Sequence, residues 1–302
     1  MSRVAAATIV AKNFLSYARV LADSFLRHHP DVPLFVLLAD EVDGYFDPRA
    51  EAFRMLEMAE IRIPDSSGFR ARLSRKECAI AAKPYLLRHL LDRGFSGVIF
   101  VDPDVLILSD LRPLFGEVSR HAVVLTPHLV APLAGPGRVA RELNILQSGV
   151  FNGGLIGVSA APGARRFLTW WAARVCRDCR RDLAQGLYYD QRWLDLALVF
   201  FDGMYILRDP GYNVAHWNLP ERDVQLDGDD VRVDGRPCRF VHFSGFDPDE
   251  PTVVTRHSSR LNMSSLGPVR TLFNRYAALL RAAGYDETKT WPYAYDRHGG
   301  YP

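Results

Sequence analysis

Residues 98–104 read Val-Ile-Phe-Val-Asp-Pro-Asp, a short apolar run that ends in two carboxylates. A β-strand points alternate side chains to one face, so Asp102 and Asp104 can converge just beyond the end of a buried strand. Ligands of open α/β sheets bind beyond the carboxyl ends of the strands. Two neighbouring carboxylates are costly there unless a cation neutralises them, and Mn²⁺ or Mg²⁺ accepts such oxygen ligands. The pattern predicts a divalent-metal site, with an Asp-Pro turn that holds no ion as the alternative.

Apolar runs on both sides of this segment predict an α/β fold. Apolar stretches typical of strands buried on both faces occupy residues 4–10, 34–39, 98–101 and 122–125. Residues 150–158 predict a further strand, which carries Asn152-Gly-Gly154. Apolar residues at helical spacing occupy residues 14–28, 78–93, 165–175, 188–200 and 269–283. We therefore predict a Rossmann-like sheet, mixed and mainly parallel, flanked by helices. The first turn lacks Gly-x-Gly-x-x-Gly, which argues against a dinucleotide-dependent dehydrogenase.

Composition excludes several functional classes. With 48% apolar and 24% charged residues the chain resembles a soluble globular protein, and its formal charge of +2 gives no reason to expect nucleic-acid binding. No apolar stretch is long enough for a transmembrane helix, and the first apolar run is too short for a signal peptide. Cys176 and Cys179 have the spacing of a zinc or redox pair but lack a second pair. We expect a cytoplasmic protein with reduced thiols, and peripheral membrane association stays open.

Three further segments place polar residues or glycines where chemistry is common. Gly153 and Gly154 lie inside an apolar run, where glycines mark either a bulge or the close approach of a ligand. Asp190 opens a predicted helix and could simply cap it. His242 ends a short strand just before the turn at Gly245, and a lone histidine is more often structural than functional. Each segment by itself permits a structural interpretation.

Taken in order, the four segments resemble the motifs of the GT-A nucleotide-sugar glycosyltransferases. They are closest to the retaining group that includes glycogenin and the bacterial lipopolysaccharide galactosyl- and glucosyltransferases. The segments that carry the resemblance are Asp102-Pro-Asp104, Phe151-Asn-Gly-Gly154, Asp190-Gln191 and His242-Phe-Ser-Gly245, and it covers most of residues 4–245. It implies a GT-A catalytic domain at residues 1–250 and a C-terminal helical and aromatic extension at residues 251–302 packed on it.

The resemblance also implies roles for individual residues. Asp102, Asp104 and His242 would hold Mn²⁺ or Mg²⁺, and Asp190 and Gln191 would lie against the sugar as catalytic residues. The nucleotide-sugar donor would contact Thr8, Ala11, Asn13, Tyr17, Lys83, Asn152, Gly153, Gly154 and Gly245. The sequence departs from the family at one place, because the lysine that usually follows the His-Phe-x-Gly motif is absent. Arg256 or Arg260 could supply that positive charge.

The activity implied by the resemblance is metal-dependent transfer of a sugar from a nucleoside-diphosphate sugar, with a UDP-sugar expected, to a glycan, a lipid-linked glycan or another hydroxyl acceptor. Retention of anomeric configuration and a place in bacterial surface-glycan assembly are also implied. Three alternatives stay open. They are an inverting transferase with Asp190 as general base, a sugar-phosphate nucleotidyltransferase, and a nucleotide- or glycan-binding protein without catalysis.

Overall fold

The apolar run of residues 4–10 forms the first strand of a central sheet in a computed structural model that describes residues 3–296. In that part of the chain the strands are β1 (Val4–Val10), β2 (Leu34–Leu38), β3 (Arg54–Glu57), β4 (Gly97–Val101), β5 (Val105–Ile107), β6 (Val123–Pro127), β7 (Phe151–Ser159), β8 (Arg181–Asp182), β9 (Leu187–Tyr188), β10 (Met204–Ile206), β11 (Val224–Asp227), β12 (Asp230–Val233), β13 (Arg236–Pro237) and β14 (Phe240–His242). The α-helices are α1 (Leu15–His28), α2 (Ser66–Arg72), α3 (Arg75–Ala81), α4 (Lys83–Asp92), α5 (Arg112–Arg120), α6 (Arg138–Ser148), α7 (Pro162–Asp178), α8 (Leu194–Phe200), α9 (Arg270–Ala282) and α10 (Tyr285–Thr288).

Seven of these strands form the central sheet, in the order β10-β6-β7-β4-β1-β2-β3. β7 is antiparallel to its two neighbours, and the other neighbouring pairs are parallel. The predicted mixed, mainly parallel sheet is therefore confirmed. A strand that runs against its neighbours begins where they end, so the first residues of β7 lie beside the carboxyl ends of β4 and β6.

The sheet is buried on both faces, which explains why its strands are continuous apolar runs. Along β1, Ala5, Ala7 and Ile9 pack into one core with α4 and α7. Ala6 and Val10 point the other way, into a second core with α1 and α5. Because both faces are covered by helices, the edge at the carboxyl ends of the strands is left for ligands.

Residues 251–296 pack on the sheet domain through a third apolar cluster, which also takes in the small sheet β11-β12-β13. Phe243, just after β14, stacks on the fully buried Tyr276 of α9 with their ring centroids 4.0 Å apart. The extension therefore supports the strand that ends at His242. Residues 297–302, the last part of the predicted extension, lie outside the described residues.

The prediction of a helix over residues 188–200 is wrong for its first six residues. The chain forms the short strand β9, then a 3₁₀ turn at Gln191–Trp193, and the α-helix begins only at Leu194. Tyr189 has a φ of 49°, and this left-handed backbone interrupts any helix. Asp190 precedes the 3₁₀ turn, and its side chain makes no capping hydrogen bond there. The carboxylate is consequently available to other partners.

A buried ion pair joins the ends of β1 and β2. The ammonium of Lys12, which is fully buried, lies 3.4 Å from Asp40 Oδ1 and 2.6 Å from Asp43 Oδ2. The Asp40 carboxylate also accepts hydrogen bonds from the backbone N–H groups of Lys12, Glu41 and Ala294. Because Ala294 belongs to the aromatic tail of residues 291–295, this carboxylate fastens the tail to the edge of the sheet.

We expect Asp40→Ala to lower the free energy of unfolding by about 3–5 kcal/mol, because it leaves the buried Lys12 ammonium with only the partly exposed Asp43 as a counter-charge. Urea denaturation measures the loss. The control is Asp23→Ala, which removes an exposed ion pair with Arg27 and should change stability by less than about 0.5 kcal/mol. Equal losses in the two variants would contradict this account.

Candidate active site

The topology of the sheet brings three of the four motifs to one place. Asp102 follows the last residue of β4, and its backbone N–H donates to the carbonyl of Gly154 near the beginning of β7 (2.8 Å). β14 pairs with β5 so that His242 lies opposite Val105, the residue after Asp104. The two carboxylates and the histidine therefore meet the beginning of β7 at the carboxyl edge of the sheet. This part of β7, residues 152–154, is called the glycine strand below.

Asp102, Asp104 and His242 form a cluster in which one ligand atom from each side chain lies within 4.8 Å of the others. His242 Nε2 is 3.0 Å from Asp104 Oδ1 and 3.8 Å from Asp102 Oδ2. Burial by itself lowers the pKa of His242, but the attraction of Asp104 and then Asp102 outweighs it and raises that pKa. Burial acts against ionisation of Asp104 as well, yet His242 lowers the pKa of this carboxyl. The cluster is a concentrated site of negative charge with one imidazole nitrogen directed into it.

Gly154 leaves the space beside this cluster open. A Cβ atom at this position would lie 2.6 Å from His242 Cε1, 2.7 Å from Asn152 Oδ1 and 2.8 Å from Asp102 Oδ2. Real Cβ atoms do not approach other atoms so closely. The glycine is thus required by close packing of the backbone against the acidic cluster, not by a left-handed turn.

Lys83 joins the acidic cluster to Asp190. Its fully buried ammonium lies 3.2 Å from Asp102 Oδ1 and 3.0 Å from Asp190 Oδ2, and it donates to the carbonyl of Gly153 (3.0 Å). Burial lowers the pKa of Lys83, but the two carboxylates overcome this effect and raise it, so the ammonium stays charged. Burial raises the pKa of Asp190 although Lys83 opposes that rise. Lys83 was predicted to contact the donor, and in the structure it contacts these two carboxylates and the Gly153 carbonyl.

Gln191 and Asn152 are held by hydrogen bonds to the backbone and to each other. Gln191 Nε2 donates to the carbonyl of Ser148 (2.7 Å), and Gln191 Oε1 accepts from the N–H of Gly153 (3.1 Å) and from Asn152 Nδ2 (3.2 Å). Asn152 Oδ1 accepts from the backbone N–H of Gly154 (3.0 Å). These contacts place the Asp190-Gln191 pair directly against the glycine strand, as the motif order suggests.

A cleft of about 650 Å³ lies over these groups, which is within the size range of small-molecule sites. Most of the residues predicted to contact a donor line it, namely Ala11, Asn13, Tyr17, Lys83, Asn152, Gly153, Gly154 and Gly245. Thr8 does not line the cleft. It is fully buried in β1, and its hydroxyl has no hydrogen-bond partner among the described residues. The structure thus brings together every predicted site residue except Thr8.

Basic side chains surround the mouth of the cleft. Arg256 and Arg260, the two candidates to replace the absent lysine, both line it, and so do Arg75 and Lys76. The Arg256 side chain is 60% exposed, and its guanidinium lies 3.9 Å from the Asp247 carboxylate, so this carboxylate neutralises its positive charge only weakly. Arg260 donates to the carbonyl of His216 (3.3 Å). Positive charge is thus present even though the usual lysine is missing.

Several residues of the site were not predicted from the sequence. His128 and His216 line the cleft. Trp217, which the sequence already offers as a candidate sugar-stacking residue, lines it too and packs edge-on against both His128 and His242. His128 follows β6 directly, so the rule that ligands bind at carboxyl ends of strands could have identified it. Burial lowers the pKa of His128 to about 4, which keeps its imidazole neutral. Asn213, which is fully buried and contacts His242, was not predicted as a site residue.

We expect Gly154→Ala to displace His242 or Asp102 and to lower the free energy of unfolding by about 1–3 kcal/mol, because the added methyl group has no room. Thermal or urea unfolding measures the loss. Gly116→Ala is the matched control. It lies inside α5, where a Cβ would meet only the flexible end of Arg120 at 3.6 Å. This variant should be neutral or stabilised by about 0.5–1 kcal/mol, and a comparable loss in both would refute the steric argument.

No protein-family model matches the chain. Two Bacillus subtilis (strain 168) proteins are similar in sequence, and both are described only as uncharacterized. YfnF is 26% identical over 252 residues, covering 79% of this chain and 80% of YfnF. YfnD is 25% identical over 268 residues, covering 86% of this chain and 82% of YfnD. The similarity extends over most of the chain and is not confined to one motif.

Solved structures give a more informative comparison. The galactosyltransferase LgtC, in complex with donor and acceptor sugar analogues, matches with a TM-score of 0.54 and 16% identity over 90% of this chain and 95% of the LgtC chain. The apo glycosyltransferase GlyE of Streptococcus pneumoniae TIGR4 matches with a TM-score of 0.54 and 13% identity over 97% of this chain and 65% of the GlyE chain. At such identities the likeness concerns the fold. This chain therefore has the GT-A fold of the nucleotide-sugar glycosyltransferases, as its four motifs implied.

Proposed function

We propose that the protein is a metal-dependent glycosyltransferase that takes a sugar from a nucleoside-diphosphate sugar, with a UDP-sugar as donor, and transfers it to a glycan or lipid-linked glycan acceptor. The observation that carries the proposal is the convergence of Asp102, Asp104 and His242 with Asn152 and Gln191 around one cleft. Fold alone would not suffice, because one fold supports many activities. The solved structures of similar fold include an LgtC complex with donor and acceptor sugar analogues and an active-site Gln→Glu variant of LgtC.

The residues present fit a divalent cation. Asp102, Asp104, Asp190 and Lys83 together carry three negative charges and one positive charge when all are ionised, so with a neutral His242 the group has a net charge of about −2. Asp102, Asp104 and His242 would hold the ion, and two carboxylates with one imidazole suit Mn²⁺ better than Mg²⁺, which prefers oxygen alone. When bound, the ion would neutralise the negative charge that develops on a departing diphosphate.

The chain's own residues would do the rest of the work. The glycine strand lets the sugar approach the backbone of Gly153 and Gly154, since side chains there would fill the space. Arg256 and Arg260 would lie near the phosphates and partly replace the absent lysine. Ala11, Asn13 and Tyr17 would surround the nucleobase, at the carboxyl end of β1. Gly153 and Gly154 lie near the beginning of β7, Ala11 follows β1, and Tyr17 lies in the first turn of α1.

We propose that the reaction retains the anomeric configuration. Retention is supported by the contacts of Asp190, whose carboxylate is buried and ion-paired with Lys83, an arrangement that leaves it badly placed to take a proton from an acceptor. Gln191, held against Gly153 and Asn152, would lie against the sugar. The alternative, an inverting reaction, would need Asp190 to break this ion pair and act as a base.

We further propose a role in assembly of bacterial surface glycans. The proposal is supported by the resemblance of the motifs to lipopolysaccharide sugar transferases and by the histidines and tryptophan in the cleft, because aromatic rings commonly stack on sugars. No helix of the described chain is long and apolar enough to cross a membrane.

The first test concerns metal dependence. We expect UDP to bind much more tightly in the presence of Mn²⁺ than with EDTA, as measured by calorimetry. Asp104→Asn and His242→Ala should each lower turnover of the donor by more than about 100-fold, because each removes a ligand of the ion. Asp104 is preferable to Asp102 for this purpose, since Asp102 also pairs with Lys83. Asp23→Asn, far from the cleft and exposed, is the control and should keep full activity. UDP binding that is unaffected by EDTA would refute metal dependence.

The second test concerns products and stereochemistry. We expect free UDP and a product whose anomeric configuration equals that of the donor, read from the proton NMR spectrum of the first-formed product. Release of pyrophosphate instead of UDP would identify a nucleotidyltransferase. An inverted product would overturn retention and assign the role of general base to Asp190. Tight donor binding without any turnover of donor, across a panel of acceptors, would favour a binding protein.

A further inference from the structure

Asn213 is a buried residue of the loop between β10 and β11, and no sequence motif assigns it a role. Its side chain is fully buried, and its backbone has a φ of 54°. That left-handed conformation is uncommon outside glycine, and asparagine is one of the few residues that tolerate it. Residues with such uncommon backbone conformations cluster at functional sites, where the conformation fixes the direction of a side chain. The side chain of Asn213 lies between the glycine strand and His242.

Hydrogen bonds determine which way round this amide is oriented. The backbone N–H of Gly154 can only donate, so the atom of Asn152 that faces it at 3.0 Å is the oxygen, Oδ1. The same Oδ1 accepts from Asn213 Nδ2 at 3.2 Å, which leaves Asn213 Oδ1 facing His242 Nδ1 at 3.0 Å. Amide orientation is otherwise an assignment, but here a backbone group fixes it.

A second backbone group fixes the other end of the chain of amides. The carbonyl of Ser148 can only accept, so Gln191 presents its nitrogen to it and its oxygen to Asn152 Nδ2. The donors consequently all point the same way, from His242 through Asn213 and Asn152 to Gln191 and the Ser148 carbonyl. This series of hydrogen bonds is called the amide relay below.

We propose that Asn213 is a positioning residue that holds His242 with its Nδ1 proton directed to Asn213 and its Nε2 atom directed to Asp102 and Asp104. The inference rests on the metal site of the proposed function. An imidazole binds a metal ion through an unprotonated nitrogen, so the proton must be held on the other ring nitrogen. Through the amide relay, Asn213 also couples the orientation of His242 to that of Gln191 on the sugar side of the cleft. Asn213 itself touches neither the ion nor the sugar.

The experiment compares Asn213→Gly with Asn213→Asp. Glycine keeps the left-handed backbone and removes the acceptor. Aspartate keeps an oxygen that can accept from Nδ1 and loses only the donor to Asn152 Oδ1. The first readout is binding of Mn²⁺ alone to metal-free protein, followed by the electron paramagnetic resonance signal of free Mn²⁺. We expect Asn213→Gly to weaken Mn²⁺ binding by about 10–100-fold and Asn213→Asp to recover most of that loss.

The second readout needs no metal. In metal-free protein labelled with ¹⁵N-histidine, the Nδ1 proton of His242 should be protected from solvent exchange, and His242→Ala assigns its signal. Protection should be lost in Asn213→Gly and kept in Asn213→Asp. Asp234→Gly is the matched control, because it also replaces a left-handed non-glycine residue, with a φ of 50°, in an exposed turn. It should leave both readouts unchanged.

The outcomes separate this inference from the proposed function. If His242→Ala weakens Mn²⁺ binding but Asn213→Gly binds Mn²⁺ like the unmodified protein and keeps the protected proton, Asn213 is only a packing residue and the inference is overturned. If His242→Ala itself binds Mn²⁺ normally, the metal site of the proposed function fails, and this inference fails with it. The positioning role is established if Asn213→Gly binds Mn²⁺ more weakly and no longer protects the Nδ1 proton of His242, and if Asn213→Asp recovers both properties.

Discussion

β7 runs opposite to the six other strands of the central sheet, and this reversal brings its first residues to the edge where the parallel strands end. Asn152, Gly153 and Gly154 lie there beside the end of β4, close enough for the N–H of Asp102 to bond to the carbonyl of Gly154. A parallel strand in this position would have moved the same residues toward the far end of the sheet, by roughly 7–20 Å along a nine-residue strand at about 3.3 Å per residue. The site therefore depends on the direction of a single strand.

Charge balance is the second constraint on the site. Asp102 and Asp190 share the buried ammonium of Lys83, whereas Asp104 faces His242. Breaking a buried ion pair is strongly destabilising because it leaves a charge without a partner. Lys83 thus keeps Asp190 in place and leaves one oxygen of Asp102 directed toward the cleft. The remaining excess of negative charge is the physical basis for proposing a divalent cation at the cluster.

The sheet, the cleft and the extension form one connected unit. Phe243 stacks on Tyr276 of the extension, so the strand that carries His242 is supported from behind. The amide relay then connects His242 to Gln191 from the side of the cleft. The proposed metal ligand His242 and the residues proposed to contact the sugar are consequently held by a common network.

Much of the fold was predictable from the sequence, because strands buried on both faces must be continuous apolar runs and ligand sites lie at their carboxyl ends. Residues 98–104 alone placed two carboxylates at such an end, and the order of the four motifs placed the glycine strand and His242 near them. The beginning of the helix at residues 188–200 was predicted wrongly, because apolar spacing does not reveal the left-handed backbone of Tyr189. The partners of Asp190 and Asn213 were likewise decided only by the tertiary structure. Lys83 and His242 are distant from them in sequence, and no local pattern encodes a hydrogen bond between residues that only the folded sheet brings together.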